Sequence, residues 1–73
     1  MKKTIYSTEH VKVIERLIQS RDDANLTQFE VAIKLGKTQS FMSKVEAGQR
    51  RVDVILLREL ATIYNKPIEF FLT

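Results

Sequence analysis

Two glycines and one proline are all that this 73-residue chain offers for hairpins and long loops. Their scarcity favours a compact all-helical fold over a sheet, because tight turns draw on residues that tolerate unusual backbone angles. A chain of this length forms a single domain, with no room for a separate catalytic or sensing module. Such a domain buries only roughly 60% of its unfolded surface, so its margin of stability is thin and pairing with a second copy would add burial.

Apolar spacing and end signals predict five helices. The first spans about Glu9 to Asp23, with Ser7 or Thr8 as N-cap. Val11, Ile14, Leu17 and Ile18 recur at intervals of three or four and predict its buried stripe. Asn25, just past its end, tolerates the left-handed conformation of a C-cap. The second covers Gln28 to Leu35. Thr27 and Glu30 stand at the spacing of a capping box, Phe29, Ala32 and Ile33 are expected to face inward, and Gly36 ends it. Thr38 caps a third that ends near Ala47-Gly48, with Phe41, Met42 and Val45 as its apolar residues. Asp53 caps a fourth, Val54 to Tyr64, with Val54, Leu57, Leu60, Ala61 and Tyr64 as its stripe. Asn65-Lys66 ends it, and Pro67 opens a short fifth over Ile68 to Leu72. Residues 1–7 are read as an N-terminal arm and 8–73 as the domain.

Composition narrows the function. The chain has no cysteine, hence no disulfide and no thiolate metal site. His10 stands without a cysteine or carboxylate cluster and reads as a surface helix residue, so no metal, cofactor or small-molecule ligand is expected. General acid–base or nucleophilic catalysis needs paired groups held in a pocket, and the scattered acids supply none; no glycine-rich phosphate loop occurs either. An enzyme is therefore not expected. Met1-Lys2-Lys3 resembles the head of a signal peptide, but Thr4 to His10 is too polar to continue one. The longest apolar run, Val54 to Leu57, is far too short to span a membrane. A soluble, cytoplasmic protein is expected.

The net charge is +3, and its location matters more than its size. Lys37, Lys44, Arg50 and Arg51 outweigh Glu46 within residues 37–51, and the remainder of the chain is balanced. A local basic patch is the footprint of a nucleic-acid binder, although it also suits an ordinary solvated face.

The patch overlaps two short helices joined by a tight turn around Gly36, within a segment running from about Leu26 to Arg51. A helix-turn-helix needs this layout, because one helix braces on the DNA backbone and holds the other in the major groove. The residues Leu26-Thr27-Gln28, Glu30, Ala32, Gly36, Thr38-Gln39-Ser40-Phe41, Ser43, Glu46 and Gly48 strongly resemble the phage repressor and Cro (XRE) family. The likeness extends from about Val11 to Leu72 and implies a five-helix lambda repressor-like domain.

That resemblance implies roles. Gln39, Ser40 and Lys44 match positions that face base edges. Their chemistry agrees: Gln pairs with adenine, Lys reaches guanine, and Ser serves either. Thr27, Gln28, Thr38, Ser43 and Arg50 or Arg51 match contacts to the backbone, and Lys37, which replaces a residue usual in the family, adds a phosphate contact of its own. Gln28 is also implied to support Gln39. Phe41 either touches a thymine methyl or sugar, or closes the core. Arg21 and Glu46 match a structural ion pair. The sequence departs from the commoner family members at Lys37, where a small apolar residue is usual, and after Arg51, where a proline often stands.

The implied function is sequence-specific binding of double-stranded DNA in transcription regulation, as a repressor-like protein. One recognition helix reads only a few base pairs, so a homodimer on a near-palindromic operator is expected, with half-sites roughly 34 Å apart. Its interface is placed on Ile68, Phe71 and Leu72, with residues of the fourth helix. The alternative is a protein-interaction module, such as an antitoxin-type helix-turn-helix domain. It would bind its partner through the N-terminal arm and Phe70-Phe71-Leu72.

Overall fold

Local chemistry at the helix ends sets the architecture. A computed structural model describes residues 8–72 as five helices: α1 (Thr8–Asp23), α2 (Gln28–Leu35), α3 (Gln39–Glu46), α4 (Val54–Tyr64) and α5 (Glu69–Leu72). Thr8 is the first residue of α1; Ser7 and the expected N-terminal arm lie outside the described residues. Thr27, Thr38 and Asp53 each turn an extended backbone into a helix and accept a hydrogen bond from the N–H three residues on. These caps engage donors that a helix start leaves without partners. Asn25, Gly36, Gly48 and Asn65 all adopt left-handed backbone angles after helix ends. At Gly36 (φ 72°), the N–H of Lys37 returns to the carbonyl of Ala32 at 2.9 Å, which closes α2 and redirects the chain at once into α3.

The core lies where α1 packs on α3, α4 and α5, with α2 clasped between α3 and α4. Ile14, Leu17, Val31, Ala32, Met42, Val45, Leu57, Leu60, Ala61, Tyr64 and Phe71 are buried in it. Several expected faces are rotated. On α2 the inner arc is Gln28, Val31, Ala32 and Leu35, whereas Phe29 and Ile33 are 57% and 61% exposed. The tight turn at Gly36 fixes how α2 meets α3, and that geometry turns the neighbouring stripe inward. On α1, Val11 is exposed and Val13 packs on the core, because a wider face running through Leu17 to Ser20 meets three other helices. On α4, Val54 is exposed at the helix start and Leu56 is buried instead. His10, expected on the surface, is half-buried.

The last turn also corrects an expectation. Phe71, assigned to a dimer interface, is 1% exposed and belongs to the core. It has no area to offer another chain. Phe70 is half-buried, its ring packed edge-on against Phe71. An Arg16 guanidinium N–H donates to the Phe70 carbonyl oxygen at 2.7 Å and lies over the Phe70 ring. Only Leu72 of that apolar trio is open to solvent.

Tyr64 carries a testable consequence. Its hydroxyl is buried and has no hydrogen-bond partner among the described residues. Burial, reinforced by the Glu46 charge, pushes it well above the usual tyrosine range, with Arg21 opposing weakly. The folded domain therefore keeps a proton that the unfolded chain releases above about pH 10. This contribution to stability is complete below that pH and is lost as pH climbs towards the raised folded value. In urea titrations from about pH 9 to 11, Tyr64→Phe is expected to lose that decline, which reaches at most about 1.4 kcal/mol per pH unit. At neutral pH it is expected to gain about 1 kcal/mol, since an unpaired hydroxyl is removed. Parallel pH profiles for the two proteins would count against this reading.

Candidate nucleic-acid interface

The face of α3 follows from its sequence period. Met42 and Val45 are buried, Phe41 and Glu46 are half-buried, and Gln39, Ser40, Ser43, Lys44 and Ala47 are exposed. At 100° per residue those exposed positions form one unbroken arc, so the polar side chains project together. No acid stands in the arc or in the first turn of α3. The residues expected to read bases, Gln39, Ser40 and Lys44, thus share one surface with Ser43.

The two helix starts differ. At α3 the Thr38 hydroxyl oxygen accepts from the Phe41 N–H at 3.1 Å, and nothing negative lies nearby in the first turn. At α2, Glu30 closes the capping box: its carboxylate accepts from the Thr27 N–H at 2.8 Å, and Thr27 accepts from the Glu30 N–H at 3.1 Å. An anion is drawn to free N–H groups and the positive end of a helix. The α3 start offers both, whereas at α2 Glu30 already supplies the negative charge and takes the Thr27 N–H.

Behind the arc lies a polar clamp. Arg21 of α1 donates to both carboxylate oxygens of Glu46 in α3, Nε at 2.7 Å and Nη2 at 3.0 Å. Its Nη1 donates to the Leu26 carbonyl at 2.9 Å. The Gln28 amide of α2 donates to Glu46 at 2.9 Å. Both charged side chains are largely buried, 16% exposed for Arg21 and 6% for Glu46. The Glu46 hydrogen bonds hold Arg21 above its usual range despite the opposing cost of burial. The expected Arg21–Glu46 contact is therefore present, and it faces inward. Gln28 does not hydrogen-bond Gln39; its amide goes to Glu46. Sequence reading missed this third member, since Gln28 and Glu46 are 18 positions apart and share no local period.

Outside the arc, Lys37, Arg50 and Arg51 are exposed, and neither they nor Lys44 form an ion pair among the described residues. The Lys37 ammonium lies 5.3 Å from the centre of the Phe41 ring, and the Arg50 guanidinium carbon lies 4.5 Å from it. Phe41 also packs against the core. The spacing of Lys37 and Phe41, four residues apart, hints at their contact, but nothing in the sequence points to Arg50.

Two helices set across a left-handed glycine, the second presenting polar donors among unneutralised cations, define a helix-turn-helix domain. Residues 17–71 match the family described as helix-turn-helix, and the chain belongs to that family, in its Cro- and repressor-like (XRE) form. It is a DNA-binding domain of the transcription-regulator kind. No curated protein matches the chain. Among the described residues, no helix is long and apolar enough to cross a membrane.

Proposed function

We propose that this protein is a cytoplasmic, sequence-specific transcriptional regulator that binds a near-palindromic operator as a homodimer, with α3 in the major groove. The observation that carries the reading is the acid-free arc of Gln39, Ser40, Ser43 and Lys44, flanked by unpaired cations. Gln39, Ser40 and Lys44 read base edges. Thr38, Ser43, Lys37, Arg50 and Arg51 hold the backbone on either side, while at the α2 start Thr27 and Gln28 are engaged by Glu30 and Glu46. With Phe71 in the core, the expected pairing surface keeps Leu72 and half-buried Ile68 of the last turn, together with Val54 and Ile55 on α4.

Selection of bound duplexes from a random library, followed by gel shifts at two salt concentrations, tests the reading. Specific binding that weakens steeply with salt is expected, because contacted phosphates release counterions. No retarded species at low salt would overturn it. Gln39→Ala or Lys44→Ala is expected to cost about 1–3 kcal/mol on the selected site and to relax its preference. Arg51→Ala is expected to weaken all sequences alike and to lower the salt slope by about one. Identical behaviour of the two classes would remove the assigned reading face. Sedimentation showing a monomer at high concentration would refute the dimer.

A further inference from the structure

Lys37 and Arg50 lie on opposite sides of α3 in the sequence, yet both come to the ring of Phe41. Each lies within the range of about 6 Å at which a cation is attracted to an aromatic face. One belongs to the turn before α3 and the other to the connection after it, the two places where this chain departs from the commoner family pattern. Phe41 is anchored by its packing against the core, so the ring is a fixed point to which two otherwise mobile side chains are tethered.

We infer that Phe41 is a positioning residue: it holds Lys37 and Arg50 as a paired clamp for DNA phosphates and reads no base itself. The inference rests on the proposed role of α3 in DNA binding. An aromatic ring suits this task better than a carboxylate. It orders a cation through its quadrupole while leaving the charge uncancelled, so the clamp stays available to an anion. Arg21 shows the contrast, because its charge is matched by Glu46 and turned inward. Two acids, Asp53 and Glu59, line the same groove as Lys37, Phe41 and Arg50; the Asp53 carboxylate accepts from the Leu56 N–H at 2.8 Å to cap α4, and neither acid forms an ion pair with Lys37 or Arg50. Ordering two long side chains in advance removes entropy that phosphate binding would otherwise have to overcome.

The test compares wild type, Phe41→Leu and Phe41→Tyr on a duplex selected by the wild-type protein and on a scrambled duplex, across a series of salt concentrations. Phe41→Leu is expected to bind both duplexes roughly tenfold more weakly. Its salt slope is expected to fall by about one to two as phosphate contacts are lost. Phe41→Tyr, which keeps the ring, is expected to retain the wild-type slope. A wild type that binds neither duplex would sink the DNA-binding reading itself. Wild-type binding with an unchanged Phe41→Leu would overturn only the inference drawn from the ring. A loss confined to the selected duplex, with the slope unchanged, would show that Phe41 reads a base and would also overturn it. Should Phe41→Leu not fold, the free wild-type protein decides by NMR. Upfield ring-current shifts of the Arg50 and Lys37 side-chain methylenes are expected, and unshifted resonances would refute the clamp.

Discussion

Arg21→Ala is expected to lower the unfolding free energy by about 3 kcal/mol, because it strands the Glu46 carboxylate in a nearly closed site. The Glu46 side chain is 6% exposed, and the Gln28 amide would be its remaining side-chain partner. In a domain of this size that loss corresponds to a fall in Tm of roughly 12–24 °C. Glu46→Ala is expected to cost less, about 2 kcal/mol, since the stranded guanidinium keeps the Leu26 carbonyl and lies 3.9 Å from the exposed Asp22. The double variant is expected to fall well short of the sum, because neither charge is then left without its counterpart. Calorimetry on the three variants measures the coupling. Strict additivity, or a Tm unmoved by Arg21→Ala, would show that the clamp does not stabilise the fold.

Phe71→Ala is expected to be more severe. Truncating a phenylalanine that is 1% exposed removes its contacts and opens a cavity, at a cost of about 3–5 kcal/mol. A domain of 73 residues has roughly 4–11 kcal/mol in total, so much of the population would unfold near physiological temperature. Leu72→Ala, one position on, is expected to change monomer stability by less than about 0.5 kcal/mol, as it alters an exposed side chain. The pair separates core from interface: circular dichroism melts report the first residue, and sedimentation reports the second. A Phe71→Ala protein that melts like wild type but fails to dimerise would restore Phe71 to an intersubunit role.

These expectations also mark how far the sequence could be read. Helix starts and stops were legible because they depend on neighbours: Thr27, Thr38 and Asp53 cap where their spacing predicts, and Asn25, Gly36 and Asn65 turn left-handed where the apolar pattern ends. Helix faces were less so. Phe29 and Ile33 are more conspicuous apolar residues than Val31 and Leu35, but the turn at Gly36 decides which arc meets α3. Ser20 is wholly buried on α1, and no hydropathy argument selects a serine for the core. The polar arc of α3 was legible from period and family likeness together. The Glu46 hub was half legible, through Arg21 but not through Gln28. The convergence of Lys37 and Arg50 on one ring depends on the path of the connection after α3, which spacing does not encode.

The inward turn of the Arg21–Glu46 pair changes how the molecule presents itself to an ionic surface. The one acid among residues 37–51 is cancelled by a cation from outside that stretch, so a formal excess of three is displayed as four uncompensated charges. Lys37, Lys44, Arg50 and Arg51 all lie around a single helix. A polyanion such as heparin or a sulfonate resin would meet the protein with one side leading, and retention would exceed that of a scrambled sequence of equal pI. Internal pairing of the buried carboxylate thus gives a small protein of net charge +3 a directional charge, and orientation on a polyanion precedes any recognition of sequence.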